Sequence, residues 1–292
     1  MNTPTIFNQI LLQLMSRYQD RVPDVKKIIT AMIQQEVIST EEEIINDHIA
    51  FRTMGVQHLG IQSLEKIFLA HGYKKRDYYR FDQKKLNAYW YAPPSPELNW
   101  PRIFISELCI HELSPQSQKI IQSYTNTITT DPVDQLNLQN ANDVGTFLHS
   151  PLWQCPTWSD YQHLLNESEY AAWVIYNRYY LNHFTISVHH LPVQYNTIAQ
   201  FNRFLERIGI TLNDSGGKVK TSPDGNLIQS ATVAQQLPAT FTTTDGQVET
   251  HPIAGSYVEF AERRHEREGF EAQNADKIFE STYQSQIKKQ HP

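Results

Sequence analysis

The chain has 292 residues, 40% of them hydrophobic, with 15 Tyr, 13 Phe and 5 Trp, so it carries enough apolar mass for a core and is too aromatic for a disordered chain. Its net charge of −6 and pI near 6.0 leave no electrostatic footprint for nucleic acid. Cys109 and Cys155 form no metal-binding or disulfide spacing, no apolar run reaches membrane-spanning length, and the opening Met-Asn-Thr-Pro lacks the regions of a signal peptide; the expectation is a soluble, cytoplasmic protein with reduced thiols and no membrane partner.

Residues 1–45 predict two N-terminal helices. Ile6, Ile10, Leu11 and Leu14 make one apolar stripe, Val25, Ile28, Ile29 and Met32 a second, and Pro23 separates them. Glu41-Glu42-Glu43 reads as a solvated face. Residues 46–110 then change texture: a strand at 46–54, a helix around Leu64 to Leu69 that stops at Gly72, and strands at 73–81, 86–91 and 103–109. Residues 111–181 read as a helical insert that covers either the mouth of a site or a sheet face. In residues 182–265 the β-α-β-β-β order recurs, with a strand from His183 to His190, a helix ending at Gly209, and strands near 218–221, 227–233 and 257–263. A C-terminal helix within 266–292 buries Ile278 and Phe279. The period is too long for a solenoid but suits a duplicated module. The prediction is an α+β fold of two β-α-β-β-β modules with N-terminal, central and C-terminal helices, forming one catalytic domain.

Side chains alternate across a strand. In the first strand His48, Ala50 and Arg52 therefore share a face against Ile49 and Phe51. His183, Thr185 and Ser187 share a face against Phe184 and Ile186, and Tyr257, Glu259 and Ala261 share one against Val258 and Phe260. His48 and His183 each open a module and each follow a residue with a side-chain carboxylate or amide, Asp47 or Asn182. Two histidines and a carboxylate are the ligand set of a facial triad, which leaves open positions on a non-haem Fe(II) ion. A carboxylate in an apolar strand needs a cation, a hydrogen-bond network or a proton, so Glu259 pairs either with a metal or with Arg263 or Arg264. Glu107, in the last strand of the first module, is read as its counterpart: a fourth ligand, a supporting partner, or a relic of duplication. Arg52 lies about 13 Å beyond His48 along the strand, at roughly 3.3 Å per residue, where it could grip the far carboxylate of a bound substrate; the alternative is a surface ion pair. His189 and His190 fall on opposite faces of one strand. His58, His71, His149, His163, His251 and His291 read as structural or exposed.

With Asp47 to Thr53, Asn182 to Thr185, Leu227 to Thr232 and Gly255 to Arg264, the chain resembles the DUF1338 family, whose characterised members are 2-oxoadipate dioxygenase/decarboxylases. The resemblance implies a fold like that of the vicinal-oxygen-chelate proteins, with paired β-α-β-β-β modules. It implies Fe(II) held by His48, His183 and Glu259, Arg52 on the distal carboxylate, and conversion of 2-oxoadipate and O₂ to 2-hydroxyglutarate and CO₂. Gln229 and Ser230 would hydrogen-bond the oxo acid or cap a turn. One departure is length, since bacterial members are longer. Two further readings stand beside it: a redox-neutral, glyoxalase-like isomerase or lyase with Glu107 as fourth ligand, and a non-catalytic small-molecule binding module.

Overall fold

The computed structural model describes residues 5–243 and 245–290; the opening Met-Asn-Thr-Pro and His291 lie outside them. Helices α1 (Ile6–Arg21) and α2 (Pro23–Gln34) precede the first module, which runs β1 (Asn46–Met54), α3 (Ile61–Leu69), β2 (Lys74–Phe81), β3 (Leu86–Ala92) and β4 (Arg102–Leu108). An insert follows with α4 (Pro115–Thr125), α5 (Ala141–Phe147), α6 (Trp158–Glu167) and α7 (Glu169–Asn177). The second module comprises β5 (His183–Ser187), α8 (Ile198–Arg207), β6 (Lys220–Thr221), β7 (Leu227–Ala231), a hairpin of β8 (Gln236–Thr242) and β9 (Val248–Ala254), and β10 (Tyr257–Arg263). Helices α9 (Ala272–Phe279) and α10 (Gln284–Ile287) close the described chain. Among the described residues no helix is long and apolar enough to cross a membrane.

Eight strands form one strongly curled sheet in the order β2-β3-β4-β1-β5-β10-β7-β6. Each half has the same plan. The first strand pairs in parallel with the last, β1 with β4 and β5 with β10, and β1 meets β5 antiparallel at the centre. The module helices end alike. Gly72 and Gly209 take φ of +86° and +72°, and the amides of Tyr73 and Ile210 reach back to the carbonyls of Phe68 and Leu205, the Schellman pattern that a glycine without a Cβ allows.

Strand parity sorts the two faces. Ile49, Phe51, Phe184 and Phe260 point outward into the core beneath α1, α3 and α8, with Phe51 on Phe68 at 5.6 Å, Phe201 on Phe260 at 5.2 Å and Tyr18 on Phe184 at 6.4 Å. That apolar layer leaves His48, Arg52, His183 and Glu259 on the concave face, all buried. Two sequence expectations change. The β8–β9 hairpin was not foreseen; it seats Phe241 and His251 against Trp158 of the insert at 5.0 and 4.0 Å. His189 and His190 lie in a short 3₁₀ turn after β5 and not on a strand.

Candidate metal centre and active site

Register brings the chemistry together. Ala50 sits opposite His183, and the parallel ladder on the other edge of β5 carries Tyr257 beside His183 and Glu259 beside Thr185. Three strands thus deliver His48, His183 and Glu259 to one point. The Nε2 atoms of the two imidazoles are 3.3 Å apart, and the Glu259 oxygens stand 3.4 Å from His48 and 3.1 Å from His183. With bonds of about 2.1 Å to a common ion, neighbouring ligands lie about 3.0 Å apart in an octahedron and about 3.4 Å in a tetrahedron, so the spacing fits a metal. All three residues are buried, and their donor atoms lie within 4.8 Å of one another.

The outer nitrogens are engaged too. Asp47 Oδ1 is 2.7 Å from His48 Nδ1, and Asn182 Oδ1 is 3.2 Å from His183 Nδ1. These partners aim each Nε2 inward, as ligating imidazoles require. An irregularity in the β1–β5 pairing between Asn46 and Ile49 accompanies the Asp47–His48 contact. Arg263 Nε and Nη2 donate to the two Asp47 oxygens at 2.6 and 2.9 Å. Burial alone would raise the Asp47 carboxyl, but Arg263 and His48 hold it well below its ordinary range. Burial pulls His48 down, while Glu259 and Asp47 outweigh it and leave that imidazole above its usual value. His183 goes the other way: burial, then the charges of His48 and Arg52, hold it well below. Neither arginine proposed as the mate of Glu259 takes that part, since Arg263 binds Asp47 and Arg264 binds Glu262.

The remaining candidates separate by parity. Gln229 shares the concave face; its Nε2 donates to Glu259 Oε1 at 2.6 Å and its Oε1 accepts from Asn274 at 2.9 Å. The amide steadies Glu259, lines the cavity and caps no turn. Ser230 points to the convex face and donates to Asn202 of α8 at 2.7 Å, so its expected contact with substrate is corrected. Glu107 pairs in register with Thr53, one residue out of phase with His48, Ala50 and Arg52. It faces the convex side and accepts from the Ile61 amide at the start of α3 at 2.9 Å. The expected fourth ligand is therefore corrected to a helix cap. By register the partner of Glu259 in the first module is Phe104: it pairs with Ala50, two residues past His48, as Glu259 pairs with Thr185, two past His183.

Arg52 is 1% exposed and forms no surface ion pair. Its Nη1 donates to Thr282 Oγ1 at 2.9 Å and its Nη2 to the Phe279 carbonyl at 3.0 Å, with the rings of Tyr170 and Trp173 5.1 and 5.3 Å from the guanidinium carbon. Among the described residues no carboxylate comes within 4 Å of it. The ligand atoms open on a narrow cavity of about 20 Å³ walled by Phe104, Tyr257, Phe270 and Phe279. Phe270 meets His48 edge-on at 4.7 Å. Its roof is α9 through Ala275, Ile278 and Phe279, while the insert packs behind Arg52 through Tyr170 and Trp173. The sequence signals for Asp47 and Arg263 were present as a carboxylate before His48 and a cation on the face of Glu259. Nothing local marked Phe104, Phe270 or Asn274, which join the site through tertiary packing alone.

Comparison with known proteins places this geometry. The chain is 39% identical over 97% of its length to the chloroplastic 2-oxoadipate dioxygenase/decarboxylase of Arabidopsis thaliana, covering 79% of that protein, and 42% identical over 97% to the chloroplastic/amyloplastic enzyme of Oryza sativa subsp. japonica, covering 80%. The crystal structure of hydroxyglutarate synthase from Oryza sativa in complex with 2-oxoadipate superposes with a TM-score of 0.84 at 40% identity, over 97% of this chain and 93% of that one. A glyoxalase-superfamily protein of Ralstonia eutropha JMP134 shares the fold, with a TM-score of 0.73 at 22% identity over 90% of this chain and 85% of that one. Both curated relatives are plastid proteins by name, which corrects the cytoplasmic expectation; an organellar address resides in a leader segment and leaves no mark on the composition of the folded body. The profile of the HGLS family, 2-oxoadipate dioxygenase/decarboxylase, matches residues 10–266, and the chain belongs to that family.

Proposed function

We propose that this chain is an Fe(II)-dependent dioxygenase and decarboxylase that converts 2-oxoadipate and O₂ to 2-hydroxyglutarate and CO₂, with His48, His183 and Glu259 holding the ion. The observation that carries the reading is the convergence of exactly those donors on one buried point, with Phe104 where a fourth would stand. Three protein ligands leave positions for a chelating 2-oxo acid and for O₂. The bound ion would supply the redox chemistry and a place for the oxo acid and O₂ to meet.

The chain supplies the rest. Asp47 and Asn182 fix the imidazoles, and Gln229 steadies Glu259. Phe104, Phe270 and Phe279 keep bulk water from the reacting carbons. Arg52 offers a buried positive charge with no carboxylate within 4 Å among the described residues, Glu169 acting on it only from farther off, and a buried charge of that kind calls for an anion. The second carboxylate of a 2-oxo diacid answers that need. No separate 2-oxo acid is consumed, because decarboxylation and hydroxylation fall on the same molecule. The test is to load the protein anaerobically with Fe(II), add 2-oxoadipate and air, and follow oxygen uptake, CO₂ and product mass. One CO₂ per O₂ with 2-hydroxyglutarate as product is expected. Absence of coupled oxygen uptake across a panel of 2-oxo diacids would overturn the assignment.

A further inference from the structure

Two hydrogen-bond donors beside the cavity have no well-placed acceptor among the described residues. One is Nε of Arg52 and the other is the hydroxyl of Tyr257, each fully buried. Orphaned buried donors are rare because each forfeits its hydration without compensation. Here two of them occur together. The Tyr257 ring walls the cavity and lies 4.8 Å from the His183 ring, and the Arg52 guanidinium is near enough to lean a hydrogen bond and its charge on the phenol oxygen, so it is the phenol's own hydrogen that lacks an acceptor. Arg52 stands one layer back, tied to Phe279 by its Nη2 and to Thr282 by its Nη1, so part of its fork is already engaged. A group that satisfied both orphans would have to accept and not donate, carry negative charge, and enter from the metal side. A carboxylate has that character.

Resting on the 2-oxo diacid reading above, we infer that the Tyr257 hydroxyl is a specificity-determining donor, giving its hydrogen bond to the distal carboxylate of the substrate while Arg52 supplies the charge behind it. Tyr257 thus recognises the end of the substrate remote from the reacting carbons. The consequence is selective. A 2-oxo acid of the same length that lacks the distal carboxylate, 2-oxohexanoate, gains nothing from the phenol.

The experiment compares wild-type enzyme with Tyr257→Phe, both loaded with Fe(II), on 2-oxoadipate and 2-oxohexanoate. The preference for the diacid, as a ratio of kcat/KM values, is expected to fall roughly 10- to 100-fold in the variant, the worth of one hydrogen bond to a charged group. Most of that loss should appear in KM for the diacid. Anaerobic melting curves give a second readout. Phe removes an unsatisfied hydroxyl without changing shape, so the ligand-free variant should melt no lower than wild type, while the rise in Tm produced by 2-oxoadipate shrinks and that produced by 2-oxohexanoate does not. Equal losses on both substrates, an unchanged ratio, or an undiminished Tm rise with the diacid would overturn the inference. If wild-type enzyme fails to turn over any 2-oxo diacid, the parent reading fails instead, and the two failures are told apart by the wild-type control.

Discussion

The two β-α-β-β-β modules run through the same course and present the same slots, yet fill them differently. His48 and His183 open their modules with Nδ1 held by the preceding side chain, but the holder is a carboxylate in one case and an amide in the other. The imidazoles diverge as well: against burial, Glu259 and then Asp47 lift His48 above its ordinary range, while burial and the charges of His48 and Arg52 hold His183 below. At the next slot the second module places Glu259 and the first places Phe104. The scaffold repeats, and one side chain decides how many candidate ligands each half presents. The half that gives fewer forms the apolar wall where a substrate can sit.

The sharpest way to break this comparison is to strip the richer half. Glu259→Ala should abolish retention of Fe(II) through gel filtration and lower turnover by roughly 1,000-fold or more, as expected when a site loses a principal charge; metal content by elemental analysis checks it. A gentler change makes the halves alike. Phe104→Glu puts a carboxylate in the empty slot, where an ion would hold it, so the variant should keep its metal and lose oxygen uptake by about 100-fold as an open position closes. Retained activity with retained metal would show that the Phe104 slot does not face the ion. The smallest effect belongs to Glu107. Glu107→Ala should leave metal content and kcat unchanged and cost about 1 kcal/mol of stability, the worth of a helix N-terminal acceptor, as read from urea unfolding.

Much of this arrangement was legible because parity and local texture carry it. His48, Arg52, His183 and Glu259 fell on polar or small faces of strands whose other faces were apolar, and burial of those apolar faces obliges the named residues to face inward. Glu107 shows where such reading fails. Pattern alone set it opposite Glu259, but the pairing of β1 with β4 puts it one residue out of phase, and a single step moves a side chain through the sheet. Ser230 failed for the same reason. The β8–β9 hairpin and what the C-terminal helix covers were out of reach for another: burial of Ile278 and Phe279 could be read, but Phe270 and Asn274 matter through contacts with strands far away in the chain, and no periodicity encodes them.

The roof over the cavity has a consequence for traffic. α9 covers the cavity through Ala275, Ile278 and Phe279 and is tied to Arg52 and Gln229. With so little room beneath it, anything bulkier than a water molecule has to displace that helix to reach the three donors.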